Sequence, residues 1–385
     1  MIVVGEKING SIPAAARAIA RRDADWIRDM ARRQAEAGAD FIDVCASVEF
    51  EELETLRWMI DQVQSVTDTP ISIDSPSTET LARAYQFCRR PGLFNSVSME
   101  KTKEVDRIFG IMRENPGWEV IAMLSDDDGI PKCAADRLKV LDGIMRKAEA
   151  YGIDPFRIHI DPIVEAEAYI DPEQEDGPGI AMVTKVADEI RSRYPALHIT
   201  SAISNISHGL PARKYMNYSF AVLMLAHGLD SAILDPLDRG LLAVADAAEK
   251  LLAFPEDRQQ DLAAAVQKSG AESCGFPLSE RGVSEQEGRK YAEMAAVALA
   301  MKRLGAGVDA MNLNDVDRDV LGAAYAAAAL LGLEEEGSCV EYVDAYKSGL
   351  FGTKKKKEQN STDKKGRPLR SGEASPDHGG RPGFW

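Results

Sequence analysis

Over its first 252 residues the chain alternates short apolar runs with longer stretches whose apolar positions recur every three or four residues. The short runs are IVVG (2–5), FIDV (41–44), ISID (71–74), LFNS (93–96), VIAML (120–124), IHID (158–161), ITSAIS (199–204) and AILD (232–235). Each has the length and apolar character of a buried strand. The longer stretches read as amphipathic helices. DADWIRDMARRQAEAGAD (23–40) carries a Gly near its end, and GIPKCAADRLKVLDGIMRKAEAYGI (129–153) is entered through Pro131 and closed by Gly152. Strict alternation implies a parallel sheet, because parallel neighbours need crossover connections. Eight units in about 250 residues is the size of a (β/α)8 TIM barrel. A doubly wound open sheet would show a Gly-rich phosphate loop after its first strand, and VVGEKING is no G-x-G-x-x-G.

Residues 253–350 have a different texture. Ser284 with Glu287 forms a capping-box pattern before GRKYAEMAAVALAMKRLG (288–305), and Asp315 or Asp317 could start RDVLGAAYAAAALLG (318–332). Both helices are rich in Ala and Gly, which permits close approach. They are expected either to form a helical extension packed on the barrel or on a second copy, or to continue the core itself. The expected organisation is a barrel over 1–252, a helical extension over 253–350 and a disordered basic tail over 351–385.

Charge sharpens that division. From Lys354 onward nine Lys/Arg face four Asp/Glu, a net of +5, so residues 1–353 carry −21 of the total −16. An acidic body disfavours nonspecific nucleic-acid binding. The tail, polar and nearly free of aliphatic residues, reads as a solvated segment despite its KKKK (354–357). No apolar run reaches the ~18 residues of a membrane span, and VLGAAYAAAALLGL (320–333) is the nearest approach. The opening MIVVGEKING has neither a basic n-region nor a small-residue cleavage site, so a cytoplasmic protein is expected. Cys45, Cys88, Cys133, Cys274 and Cys339 form no C-x-x-C pair, and the five histidines form no H-E-x-x-H. Neither a disulfide framework nor a protein-built metal site is expected.

In a (β/α)8 barrel the active site lies at the C-terminal ends of the strands. Here those ends carry Glu6, Asn9, Asp43, Asp74, Asn95, Asp161, Asn205 and Asp235. One Asp after a strand is ordinarily a helix cap or an Asx turn. Several converging carboxylates and amides would ring one small space and repel unless a ligand or cation relieves them. Phosphate calls for cations, of which this mouth has few. A divalent metal would suit the carboxylates, but D-x-D and histidine partners are missing. A polar heterocycle displaying several N–H donors remains, such as a 2-amino-4-oxo pyrimidine ring, whose adjacent donors one ionised Asp can accept together.

GEKIN (5–9), ISIDSPS (71–77), LFNSVS (93–98), DGIPK (128–132), IHIDP (158–162) and ISNIS (203–207) together resemble the pterin-binding methyltetrahydrofolate:corrinoid protein methyltransferases. The folate module of cobalamin-dependent methionine synthase is related to that family. The resemblance covers about residues 1–252, in order, and leaves out the extension and the tail. It implies that Asp74, Asn95 and Asp161 hold the pterin ring and that Asn205 approaches N5, the methyl-bearing atom. It implies supporting places at the mouth for Glu6, Asn9 and Asp43. His208 could lend a proton near N5 or be a solvated loop residue, and Asp235 stands at the last strand end. The chain departs from the family pattern at DVCAS (43–47), where Cys45 stands in place of a common Asn.

The implied reaction is a displacement at a methyl group between N5 of tetrahydrofolate and cobalt. An uncharged tertiary amine leaves poorly, so N5 needs a proton or a strong hydrogen bond as its bond to carbon breaks. An amide can donate to that nitrogen or accept from its protonated form, whereas a carboxylate would repel its lone pair. Cobalamin-carrying modules ligate cobalt through D-x-H-x-x-G, and no D-x-H occurs in the 385 residues. The corrinoid is therefore expected on a separate, transiently docked partner protein, with methyltetrahydrofolate or tetrahydrofolate as the small-molecule substrate and the chain acting as a homodimer. Two rivals are dihydropteroate synthase chemistry and a non-catalytic pterin-binding scaffold. The first loop GEKINGSIPAA and the ending AILDPLD argue against the former, and the intact acceptor set against the latter.

Overall fold

The apolar runs do form parallel strands: β1 (Ile2–Asn9), β2 (Phe41–Cys45), β3 (Ile71–Asp74), β4 (Leu93–Val97), β5 (Glu119–Met123), β6 (Ile158–Asp161), β7 (His198–Ile199) and β8 (Ser231–Leu234). In this computed structural model they pair in the order β7-β6-β5-β4-β3-β2-β1-β8, every ladder parallel. The structure describes residues 1–46, 52–100, 103–169, 176, 179–254, 282–311, 313, 316–334 and 339–351. Of the expected tail over 351–385 only Phe351 is described, and it is buried rather than solvated; the rest of that tail, Cys274 and Asp315 lie outside the described residues.

Helices follow the strands in turn. α1 (Pro13–Ala20) and α2 (Ala24–Glu36) follow β1. After β2 to β8 come α3 (Glu52–Gln64), α4 (Thr78–Ala84), α5 (Lys103–Glu114), α6 (Ala134–Tyr151), α7 (Ile180–Arg193), α8 (Arg213–Ala226) and α9 (Arg239–Leu252). Their boundaries follow local chemistry. Asp23 caps α2 by accepting from the Trp26 amide, and Gly152 ends α6 in the left-handed conformation at φ 65°. The result is the (β/α)8 barrel, closed except at one seam.

That seam corrects the expected seventh strand. ITSAIS forms ladder structure only at Ile199, whereas Ile203–Asn205 is a 3-10 turn. Beyond Ile199 the chain meets β8 through sparse bonds: Asp230 N to Ile199 O at 3.3 Å, Ile233 N to Ser201 O at 3.0 Å, and an isolated Ala202–Ile233 bridge. Without a regular ladder on that side the segment is free to turn, and Asn205 N bonds back to Ala202 O.

The barrel interior is layered. Val4, Phe41, Leu93 and Ile121 form an apolar plug, with Ile2 and Ile233 against it, separate from the larger core between strands and helices. Toward the N-terminal end lies a polar floor. His159 bonds Glu119 Oε2 at 2.8 Å and Ser231 Oγ at 3.0 Å, while His198 bonds Asp230 at 3.0 Å.

Beyond the barrel come α10 (Glu285–Leu304), α11 (Arg318–Leu330) and α12 (Val340–Ser348). The capping box at Ser284 and Glu287 is complete, and Asp317 caps α11. These helices pack on α8 and α9: Ser219 Oγ donates to Ala323 O at 2.9 Å, and Asp319 receives Tyr215 OH and, at 2.6 Å, Lys290 Nζ. Small residues make the approach possible. A Cβ on Gly322 would lie 3.0 Å from the Tyr215 ring and 3.1 Å from Phe351. No helix among the described residues is long and apolar enough to cross a membrane. Gly322→Val is expected to cost on the order of 1–3 kcal/mol by overpacking, read as a lower urea midpoint. An unchanged midpoint would show that α11 is not seated against α8.

Candidate active site

Parallel register brings the strand-end side chains into rows. Asn9 lies opposite Cys45, Cys45 opposite Asp74, and Asp74 opposite Asn95. Because alternate residues face inward, Asp43 and Cys45 share a side of β2 with Ser72 and Asp74 of β3. The bonds confirm this convergence. Asp43 Oδ1 accepts from Ser72 Oγ at 2.5 Å and Asn95 Nδ2 at 3.1 Å, and Asp74 Oδ2 receives Asn9 Nδ2 at 3.4 Å. Cys45 also hydrogen-bonds Asp74. Asp43, given only a supporting place from the sequence, is thus the fully buried centre of the row, at 1% exposure.

Burial dominates the electrostatics. It pushes the Asp43 carboxyl up to about 6 against the opposing bonds from Ser72 and Asn95. It holds Asp74 well above the usual carboxylate range, with the neighbouring Asp43 charge adding to the effect. Asp161, opposite Met123 at the end of β6, is likewise raised to about 6 by burial, offset by the Ile163 amide and the Arg137 charge. Glu6 rises to about 7, by burial first and by Asp235 second. Burial thus raises Asp43, Asp161 and Glu6 toward neutrality and Asp74 above its usual range, and their oxygens are acceptors. Among the described residues no three His, Cys, Asp or Glu converge as a metal site. Such a mouth favours a flat ligand edged with N–H donors.

Other expected site residues sit differently. Asp235 accepts from Leu237 N at 2.9 Å and pairs with Lys7 Nζ at 2.9 Å, so its bonds are a turn and an ion pair. Asn9 also receives the Ser11 amide and hydroxyl at 2.9 and 2.7 Å. Asn205 and His208 lie exposed on the loop after β7, joined by His208 N to Asn205 O at 3.1 Å. Neither side chain makes a hydrogen bond among the described residues.

Two supports escaped the sequence reading. Glu52 on α3 takes Ser75 Oγ at 2.7 Å and Thr80 Oγ1 at 3.0 Å, holding the turn after Asp74. Arg137 on α6 is completely buried; it donates to Pro131 O at 3.1 Å, Ile163 O at 2.7 Å and Pro162 O, and pairs with Glu165 at 3.3 Å. It thereby ties the segment before α6 to the loop after Asp161. Its signal was legible: it shares a buried stripe with Val140, Leu141, Ile144 and Ala148, where an arginine needs internal partners. Arg137→Met keeps an apolar stem and strands those carbonyls, so a loss on the order of 3–5 kcal/mol is expected in urea unfolding. A loss below about 1 kcal/mol would mean that water replaces the guanidinium.

Comparison with known proteins places this architecture. The family model for pterin binding enzymes matches residues 14–235. A methylcorrinoid:tetrahydrofolate methyltransferase of Eubacterium limosum is 42% identical over 254 residues, 66% of this chain and 91% of the relative. A methionine synthase of Mycobacterium tuberculosis is 26% identical over 242 residues, 60% of this chain but 20% of that larger protein. Among solved structures, a dihydropteroate synthase from Xanthomonas albilineans superposes with a TM-score of 0.46 at 18% identity, covering 66% of this chain and 94% of the other. The family match spans all the strand ends from Asp43 to Asp235, and with the 42% identical relative it is decisive: the chain belongs to the pterin-binding enzyme family.

Proposed function

We propose that the chain is a methyltransferase moving a methyl group between N5 of tetrahydrofolate and the cobalt of a corrinoid carried by a separate protein. The 42% identical relative is named for transfer from a methylcorrinoid to tetrahydrofolate, and we take that direction here. The observation that carries the reading is the buried acceptor row, Asp43 and Asp74 with Asn9, Asn95 and Cys45, joined by Asp161 at the end of β6. A pterin ring supplies adjacent N–H donors that such carboxylates lack.

In the proposed arrangement Asp161 accepts the paired donors of the ring, while Asp74 and Asn95 complete its polar edge. Asp43 orients Asn95 and does not itself meet the substrate. Glu6 and Asn9 line the rim. Cobalt supplies the methyl group and keeps the electron pair of the broken bond; the N5 lone pair forms the new bond to carbon. N5 then carries a surplus proton, which the Asn205 carbonyl accepts as a hydrogen bond until solvent removes it. In the reverse direction the Asn205 amide turns to donate to the departing nitrogen. The exposure of Asn205 and His208 supports a mouth open to a docked partner. The folate and the corrinoid are thus substrates, the latter delivered by its own protein. We further propose a cytoplasmic homodimer, with no part for membrane or nucleic acid.

Asn205→Ala should lower single-turnover methyl transfer by roughly 10²–10³ if the amide acts mainly in the transition state. Asp161→Ala should instead weaken folate binding by on the order of 2–4 kcal/mol. The reverse pattern in calorimetry and transfer assays would exchange the two roles, and near-wild-type values for both would sink the site.

A pH test follows from the raised carboxyls. Asp161 is raised to about 6 in the free protein, so it is substantially protonated there and ionised above about pH 8. A donor-rich ring favours the ionised form, lowers that value and releases a proton on binding near pH 6. The release from Asp161 should fall away toward pH 8. Calorimetry in buffers of different ionisation enthalpy reads it directly, and proton uptake at pH 6 would contradict the assignment.

A further inference from the structure

The proposed chemistry needs Asn205 in one place, yet its side chain is exposed and has no internal hydrogen bond among the described residues to steer it. Its position therefore depends on the backbone of the loop between β7 and α8. That loop is held from three directions. Arg213, at the start of α8, bonds Ser207 Oγ at 2.9 Å and Ser204 O at 2.6 Å. The loop after β6 contributes Glu167 N to Ile206 O at 2.9 Å. The third hold comes from outside the barrel: Tyr342 OH on α12 lies 3.1 Å from Pro211 O and 3.0 Å from Ala212 O.

The third hold is built rather than incidental. Tyr342 is completely buried, and its ring lies 5.2 Å from that of Phe351, which also meets Tyr215 of α8 at 5.5 Å. Glu334 fixes the start of α12 by accepting from the Glu341 and Tyr342 amides at 3.2 and 3.0 Å. The hydroxyl meets the chain at a strained residue: Ala212 has φ 47°, a left-handed conformation costly for a residue with a Cβ. The pterin-binding match ends at residue 235, so this contact is supplied by chain beyond it.

We propose that Tyr342 is a positioning residue for methyl transfer: from the C-terminal extension its hydroxyl anchors the Pro211–Ala212 backbone and so sets where Asn205 stands. This inference rests on the function proposed above. It makes the extension part of the catalytic scaffold, because at the β7–β8 seam the strand has no regular ladder beyond Ile199 and other contacts must hold the loop that follows.

Tyr342→Phe removes only the hydroxyl and keeps the ring against Phe351. Three measurements on the full chain decide the matter: hydrogen–deuterium exchange over residues 204–212, single-turnover methyl transfer with methyltetrahydrofolate and free cob(I)alamin, and equilibrium folate binding. Exchange should quicken at least about fivefold in 204–212 and stay unchanged across β1–β4. Transfer should slow by roughly 5–30-fold while folate affinity stays within about twofold. In an Asn205→Ala background the second substitution should add no further loss. Unchanged exchange in 204–212 overturns the proposal, as does a loss that multiplies with that of Asn205→Ala. Faster exchange spread over the whole barrel, or an equal fall in folate affinity, also overturns it by making the hydroxyl a general stabiliser. A wild-type chain that transfers no methyl group defeats the functional reading, and the exchange result then decides the anchor alone.

Discussion

A carboxylate removed from water must find donors or take up a proton, and Asp43 is the point at which this chain meets that demand. Its donors, Ser72 and Asn95, arrive from the next two strands of the barrel. The same bonds that make its burial tolerable therefore tie the upper ends of β2, β3 and β4 together. A shift of one residue in β2 would turn the acid outward and leave Ile42 or Val44 in its place, and a shift in β3 or β4 would carry off one of its donors. Register and polarity at the mouth are thus one constraint. Two acids sharing that space leave the row rich in acceptors and short of donors, an imbalance that only a ligand of the opposite pattern relieves.

Much of this was open to reading before any coordinates. An Asp or Asn closing a four- or five-residue apolar run is a period-two signal, and parallel register converts it directly into a shared space. Asp43 was placed at the mouth but underrated, because nothing in FIDV reveals that Ser72 and Asn95 both turn toward it. The β7 error has a physical origin as well. ITSAIS is apolar enough for a strand, but strand formation there depends on a partner ladder with β8 that the barrel seam does not provide. Asn205 was thus singled out for its residue type alone, while the turn that carries it depends on long-range pairing. Arg137 left a local trace, a charge inside an apolar stripe, whereas the link from Tyr342 to the loop spans more than a hundred residues and leaves none.

The extension shows how small residues do structural work. Alanines and glycines along α10 and α11 let backbones approach α8 and α9 closely enough for a serine hydroxyl to reach a helix carbonyl. Large aromatic rings then gather at the far end around Phe351. Tyr215 of α8 meets this cluster, so the aromatic packing of the extension adjoins the start of the helix that follows the loop carrying Asn205.

The apolar plug of Val4, Phe41, Leu93 and Ile121 has an electrical meaning as well as a packing one. It is a dry septum between two sets of titrating groups. Below it, burial holds the His159 imidazole under its usual range, so its contribution to stability is lost as pH falls below about 6.5. Beside it the bond to Asp230 holds His198 above that range, and its contribution is lost as pH rises through the raised value. Above the septum burial raises the acids of the mouth, Asp43, Asp74 and Asp161. The four side chains of the septum are apolar and cannot themselves pass a proton between the two sets.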